Sequence, residues 1–105
     1  MRRVLLTLVL LSAPAALADD LGQQVWMRLC KGCHGLDGRA QTQIGAREKI
    51  SDFSVEAWQK QFADPDIRQV VYDGSASNPK MKSFAQRLSA EELDAVVRFI
   101  RGLKR

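Results

Sequence analysis

Cys30-Lys31-Gly32-Cys33-His34 sets two thiols and an imidazole side by side, the arrangement needed to attach a porphyrin covalently. Thioether bonds from Cys30 and Cys33 would hold a haem by its vinyl groups, and His34, next in the chain, would present its ring to one face of the iron. Competing chemistries fit less well. A structural zinc site needs four ligands, whereas the chain has two cysteines and a single histidine. A redox dithiol shares the C-x-x-C spacing but follows a strand in a βαβ unit, and no such pattern occurs here. A disulfide between residues three apart is strained, and fits a transient state before attachment better than a lasting staple. One haem c, held through Cys30 and Cys33 with iron on His34, is the expected cofactor.

The second axial position follows from what else the chain offers. His34 is the only imidazole, so two histidines from one chain cannot share the iron. Methionine is the other common partner in small haem c proteins. Of the three methionines, Met1 leaves with the leader described below, and Met27 sits three residues before Cys30, too tethered to reach the opposite face. Met81 remains, in a stretch whose backbone freedom lets a thioether be aimed at the iron. The plainer alternative is that Met81 fills a gap in the core.

The elements that must position these groups are helical. Leu21, Val25 and Leu29 recur at i, i+4 and i+8 and predict a first helix running into Cys30, with Asp20 placed to cap it. Residues 35–52 are polar and glycine-containing, which predicts loops. Ser54 is placed to cap a short helix through about Phe62. Asp64-Pro65 restarts the chain as a helix whose apolar face is Ile67, Val70 and Val71, and Gly74 stops it. Residues 75–84, with Pro79 and Met81, read as a loop. Ser89-Ala90-Glu91-Glu92 is a capping box, behind which Leu93, Val96, Val97 and Ile100 recur at i, i+3, i+4 and i+7. No run alternates long enough to be a strand, so the expected class is all-α.

The N-terminus reads as an export signal. Met1-Arg2-Arg3 is a basic start, Val4 to Leu11 is apolar, and Ala16-Leu17-Ala18 is a small-x-small cleavage site before Asp19. The apolar run is too short to span a bilayer, so residues 1–18 are expected to be removed and residues 19–105 to form one domain without an integral membrane segment. Taking 18 from 105 residues leaves 87, a size at which a hydrophobic core is marginal. A covalently held haem would supply the missing apolar centre. Arg2 and Arg3 leave with the signal, so the formal charge of +4 less these two becomes +2. That near-neutral balance argues against nucleic acid as a partner.

With these features in place, the sequence resembles the class I cytochromes c over essentially its whole mature length: helix, C-x-x-C-H, intermediate helices, methionine loop and C-terminal helix. Gly22, Trp26 and Phe99 stand where that family crosses its first and last helices, a glycine allowing close approach and aromatic faces filling the gap. The resemblance implies a small fold of four to five helices around one covalent haem. Two departures stand out. Lys82 follows Met81 where many members have proline, and residues 49–53 lack the proline whose carbonyl commonly receives the ligand histidine's Nδ1 proton. A backbone carbonyl can serve there without proline.

Around such a haem, Trp58, Gln41, Arg47 and Lys49 are candidates to meet a propionate, and Tyr72 to pack beside the distal face. With His34 and Met81 both on the iron, no coordination position is left for substrate. The expected function is therefore a periplasmic, monomeric electron carrier between respiratory-chain partners met transiently, and not an enzyme. Lys80, Lys82 and Arg87 could steer acidic partners. The alternative is a haem-based sensor or peroxidase-like enzyme with a labile Met81.

Overall fold

Ala15-Ala16-Leu17-Ala18 is rich in strong helix formers, and the first helix uses them. In the computed structural model, which describes residues 2–9 and 15–105, α1 spans Ala15–Val25. It continues through a π-helical turn, Trp26–Cys30, and closes with an α turn, Lys31–His34. Asp20 thus lies inside the helix and does not cap it, because the alanine-rich segment carries the helix further back. Of the expected signal peptide, residues 2–9 are non-helical, residues 10–14 lie outside the described residues, and Ala15–Ala18 belong to α1.

The polar segment after His34 contains a helix that periodicity alone does not reveal. Thr42 caps α2, Gln43–Glu48: its hydroxyl accepts from Gly45 N–H at 2.8 Å and donates to the Cys33 carbonyl at 2.6 Å. One side chain thus starts α2 and ties it to the cysteine motif. Gly45 is required by contact, since a Cβ there would stand 2.0 Å from the Ala40 carbonyl oxygen.

The third helix, α3, is Glu56–Gln61, and its N-cap is Val55. Ser54 does not cap it. It is buried, with its hydroxyl donating to Asp52 Oδ1 at 2.6 Å and accepting from Arg105 Nε at 3.1 Å. The carboxylate and the C-terminal arginine outcompete the helix end for that hydroxyl. Pro65 sits in the first turn of α4, Asp64–Asp73, as its fixed φ favours. Ile67 and Val71 are buried, whereas Val70, expected with them, is 42% exposed. Helix α5, Ala90–Arg101, opens on the expected capping box: Ser89 Oγ accepts from Glu92 N–H and Glu92 Oε1 from Ser89 N–H, both at 3.1 Å.

These five helices, with no strand among the described residues, match the all-α expectation. Val25, Trp26, Ile67, Val71, Leu93, Val96, Val97 and Ile100 form one core. Its spine is the crossing of α1 and α5, where Gly22 is buried against the Ala95 backbone and the Trp26 and Phe99 rings lie 5.4 Å apart. Among the described residues no helix is long and apolar enough to cross a membrane.

An ion pair also joins the two crossing helices, Arg28 to Glu92 at 3.0 Å. The Ser89 amide, and then Arg28, hold the Glu92 carboxyl below its ordinary value of 4.5. A carboxyl depressed in the folded state binds its proton more readily when unfolded, so its stabilisation is present above 4.5 and is lost as pH falls through the folded value. The thermal midpoint should therefore decline on acidification below about pH 4.5, and Glu92→Gln should flatten that decline while lowering the midpoint at neutral pH. Thermal melts from pH 3 to 7 check this, and equal slopes in both proteins would contradict it.

Candidate functional site

His34 ends the last turn of α1, and its ring is packed from two sides. The Trp26 ring centroid lies 5.7 Å away and that of Phe53 4.8 Å away, the latter inclined by only 31°. Phe53 in turn stacks on Trp58 at 4.1 Å, and Trp58 lies tilted against Phe62 at 5.2 Å. Trp26, almost fully buried, donates its indole N–H to the Gly35 carbonyl at 3.0 Å. That bond clamps the chain where it leaves the cysteine motif. Burial lowers the His34 pKa, which keeps the imidazole neutral and its lone pair available to a metal.

Met81 meets His34 across a cavity. An open cleft of about 280 Å³ is lined by Cys33, His34 and Met81 together, with Ile44, Ile50, Phe53 and Val70 as apolar walls and Glu48, Lys49, Asn78 and Lys80 among its polar ones. Val70, misplaced by the helical periodicity, is exposed because it faces this cleft. Cys30 is not part of the lining; it sits at the end of the π turn, partly buried against the core. Burial, and then the neighbouring Cys33, push its thiol up to about 11. Both cysteines are free thiols. Met27 is exposed on α1, away from the cleft.

The loop carrying Met81 is built by its own hydrogen bonds. Ser75 N–H donates to the Met81 carbonyl at 2.9 Å, Met81 N–H to the Asn78 carbonyl at 3.1 Å, and Lys80 N–H to Asn78 Oδ1 at 3.0 Å. The Ser83 hydroxyl fastens the loop's far end to the Tyr72 carbonyl at 2.5 Å. A proline after Met81 is thus replaced as a source of order by Asn78 and two serines. Glu48 accepts from Asn78 Nδ2 at 3.2 Å and from Lys80 Nζ, and the Lys80 bond, then the Asn78 bond, hold its carboxyl below the usual range. No motif marks Glu48 or Asn78, because the contact joins positions about thirty apart with no periodic signature; Lys80, expected to steer partners, is instead paired with Glu48.

Other candidates fall differently. Lys49 lines the cleft, whereas Gln41 and Arg47 are exposed outside it, Trp58 packs on Phe53 and Phe62, and Tyr72 is 48% exposed. No carbonyl from residues 49–53 accepts from His34: its Nδ1 is buried and has no hydrogen-bond partner among the described residues. The ring is held by aromatic packing instead. Arg87 lies over the Phe84 ring at 5.6 Å, so of the three basic residues near Met81 only Lys82 is not engaged by a neighbouring side chain among the described residues.

The donor set suits haem c. The Cys33 thiol, the His34 imidazole and the Met81 thioether share a cleft with apolar walls, and Cys30 stands three residues before Cys33 at the end of the π turn, so the residues present fit the group that the C-x-x-C-H motif implies.

Comparison with known proteins agrees. The family model described as cytochrome C oxidase, cbb3-type, subunit III, matches residues 17–100. The solved structure of the KustC0563 c-type cytochrome is 31% identical, superposes with a TM-score of 0.73, and covers 80% of this chain and 98% of its own. No curated protein matches. A match over so much of this all-helical chain, which itself carries the C-x-x-C-H motif, means that it belongs to the class I c-type cytochromes, the small domains that hold haem c covalently and use it for electron transfer.

Proposed function

We propose that this protein is a periplasmic monohaem electron carrier, exported by residues 1–18 and matured as residues 19–105. In this reading Cys30 and Cys33 would attach the haem and His34 and Met81 would hold its iron. The observation that carries it is the shared cleft: His34, Met81 and Cys33, from segments far apart in sequence, line one cavity with apolar walls. When bound, haem c supplies a one-electron iron couple.

The chain's own residues set the conditions for that couple. Trp26 and Phe53 fix the plane of the His34 ring, and burial keeps that ring neutral. The hydrogen-bonded loop presents Met81 without large rearrangement, which suits a carrier that must change charge state repeatedly. Ile44, Ile50 and Val70 give the cleft apolar walls. Methionine as a soft neutral ligand and an apolar surround both favour the reduced state, so the potential should exceed that of a bis-histidine haem. Exposed Lys82 beside the cleft is suited to steer an acidic partner into brief contact at the haem edge.

Attachment tests this reading directly. Protein exported in a host that matures haem c should begin at Asp19 by mass spectrometry, keep its haem through acid-acetone extraction, and show no titratable thiol. Replacing Cys30 and Cys33 together by serine should leave any haem extractable. A freely extracted haem in the parent, or free thiols in the haem-bound protein, would overturn the proposal.

A further inference from the structure

The cleft has two walls from separate parts of the chain, α2 on one side and the methionine loop on the other. Glu48 is the residue that bridges them. It ends α2, where a carboxylate opposes the helix dipole and is a poor choice for the helix itself. Its two oxygens are both used across the gap: Oε2 accepts from Asn78 Nδ2 at 3.2 Å and Oε1 from Lys80 Nζ. Its side chain is 17% exposed against 60% for Lys80, so the carboxylate is the anchored partner and the lysine reaches to it. Asn78 is also the residue that shapes the loop. Its carbonyl accepts the Met81 N–H, its Oδ1 the Lys80 N–H, and its own N–H donates to Ser75 Oγ at 3.2 Å.

We propose that Glu48 is a positioning residue for Met81, latching the methionine loop to α2 through Asn78 and Lys80 so that the thioether is held toward the His34 side of the cleft. The proposal rests on the reading of Met81 as an axial ligand and adds what holds it there. At its far end the loop is fastened to α4 through Ser83 and Phe84. Among the described residues, the loop's only hydrogen bonds to α2 are those that Asn78 and Lys80 donate to Glu48. Removing the latch leaves a loop hinged at one end, which lets Met81 swing away more often without destroying the fold. A ligand that binds only when the loop is open gains apparent affinity in proportion to that open fraction.

The test uses the holoprotein and adds imidazole as the competing ligand. Glu48→Ala should weaken the sulfur-to-iron charge-transfer band of the oxidised protein and tighten imidazole binding about two- to fivefold, a range set by the modest worth of partly exposed charged contacts. Glu48→Gln, which can still accept from Asn78 but loses the ion pair, should fall between parent and alanine variant. An equal imidazole affinity and an unchanged band in both variants would overturn the proposal, and a lower thermal midpoint alongside those unchanged readouts would reduce Glu48 to a structural contact. Met81→Ala separates the two readings: a band that survives it refutes Met81 as ligand, whereas a band lost there but intact in Glu48→Ala refutes only the latch. If Glu48→Ala does not fold, Glu48→Gln alone decides, by the same two readouts.

Discussion

Met81→Ala should abolish the sulfur-to-iron charge-transfer band of the oxidised holoprotein, admit imidazole or cyanide readily, and lower the midpoint potential by on the order of 100 mV, a fraction of the roughly 0.8 V that axial ligands command. The expectation rests on position. Met81 is the one methionine lining the cleft with His34, and the chain has no second histidine to take its place. Met27, exposed on α1, is the internal control: Met27→Leu should change none of the three readouts. Asn78 and the two loop serines hold the loop through contacts to the Met81 backbone and its neighbours, not to its side chain. The alanine variant should therefore keep its fold while losing the thioether. A band that persists in Met81→Ala would remove Met81 from the iron. Imidazole or cyanide binding in the unaltered protein as tight as in Met81→Ala would instead favour a sensor or peroxidase-like role.

Covalent chemistry and helical periodicity are local, and both were legible in the sequence. The C-x-x-C-H motif names its cofactor by the spacing of adjacent side chains, and Leu93, Val96, Val97 and Ile100 announce a buried face because each helical turn repeats the same register. Where those signals stop, contacts between distant segments decide. Thr42 starts a helix in a stretch that reads as polar loop, and its cap is visible only beside its second bond, to the Cys33 carbonyl. Ser54 has the right side chain to cap α3 but spends it on Asp52 and Arg105, the latter from the far end of the chain. Val70 fits the apolar stripe of α4 yet faces the cleft, since periodicity marks a face as apolar without saying whether protein or cofactor covers it.

The same division runs through the site. His34 and Met81 could be singled out by elimination among few candidates, because imidazoles and thioethers are scarce in this chain. What surrounds them could not. The Nδ1 proton expected on a carbonyl from residues 49–53 has none there, and Phe53 from that very segment contributes its ring instead. Glu48 resembles any surface carboxylate until Asn78 and Lys80 are brought to it. The order that a proline after Met81 would have supplied is distributed over Asn78, Ser75 and Ser83, no one of which signals it alone.

Gly22→Leu should be the most destabilising single substitution on the α1–α5 crossing, and the reason is that no side chain of any size fits. A Cβ at position 22 would stand 2.3 Å from the Ala95 carbonyl oxygen and 3.0 Å from Phe99 Cβ. The first of these neighbours is backbone, which cannot rotate aside as a side chain can, so even Gly22→Ala forces the helices apart. Overpacking of this kind costs typically about 1–3 kcal/mol, with alanine expected near the lower figure and leucine at or above the upper. In a domain of this size each kilocalorie lowers the thermal midpoint by about 4–8 °C. Leucine should thus lower it by more than about 10 °C. Moving α1 also disturbs Trp26, which packs on both Phe99 and His34. The loss should therefore reach the iron as a weaker charge-transfer band, whereas Glu92→Gln, which acts on the same helix pair from its surface, should leave the band intact. Melts and oxidised spectra of Gly22→Ala, Gly22→Leu and Glu92→Gln check the ordering. A leucine variant as stable as the parent would mean that the two helices do not meet at Gly22, and a destabilised one with an undisturbed band would mean that Trp26 does not transmit their separation to His34.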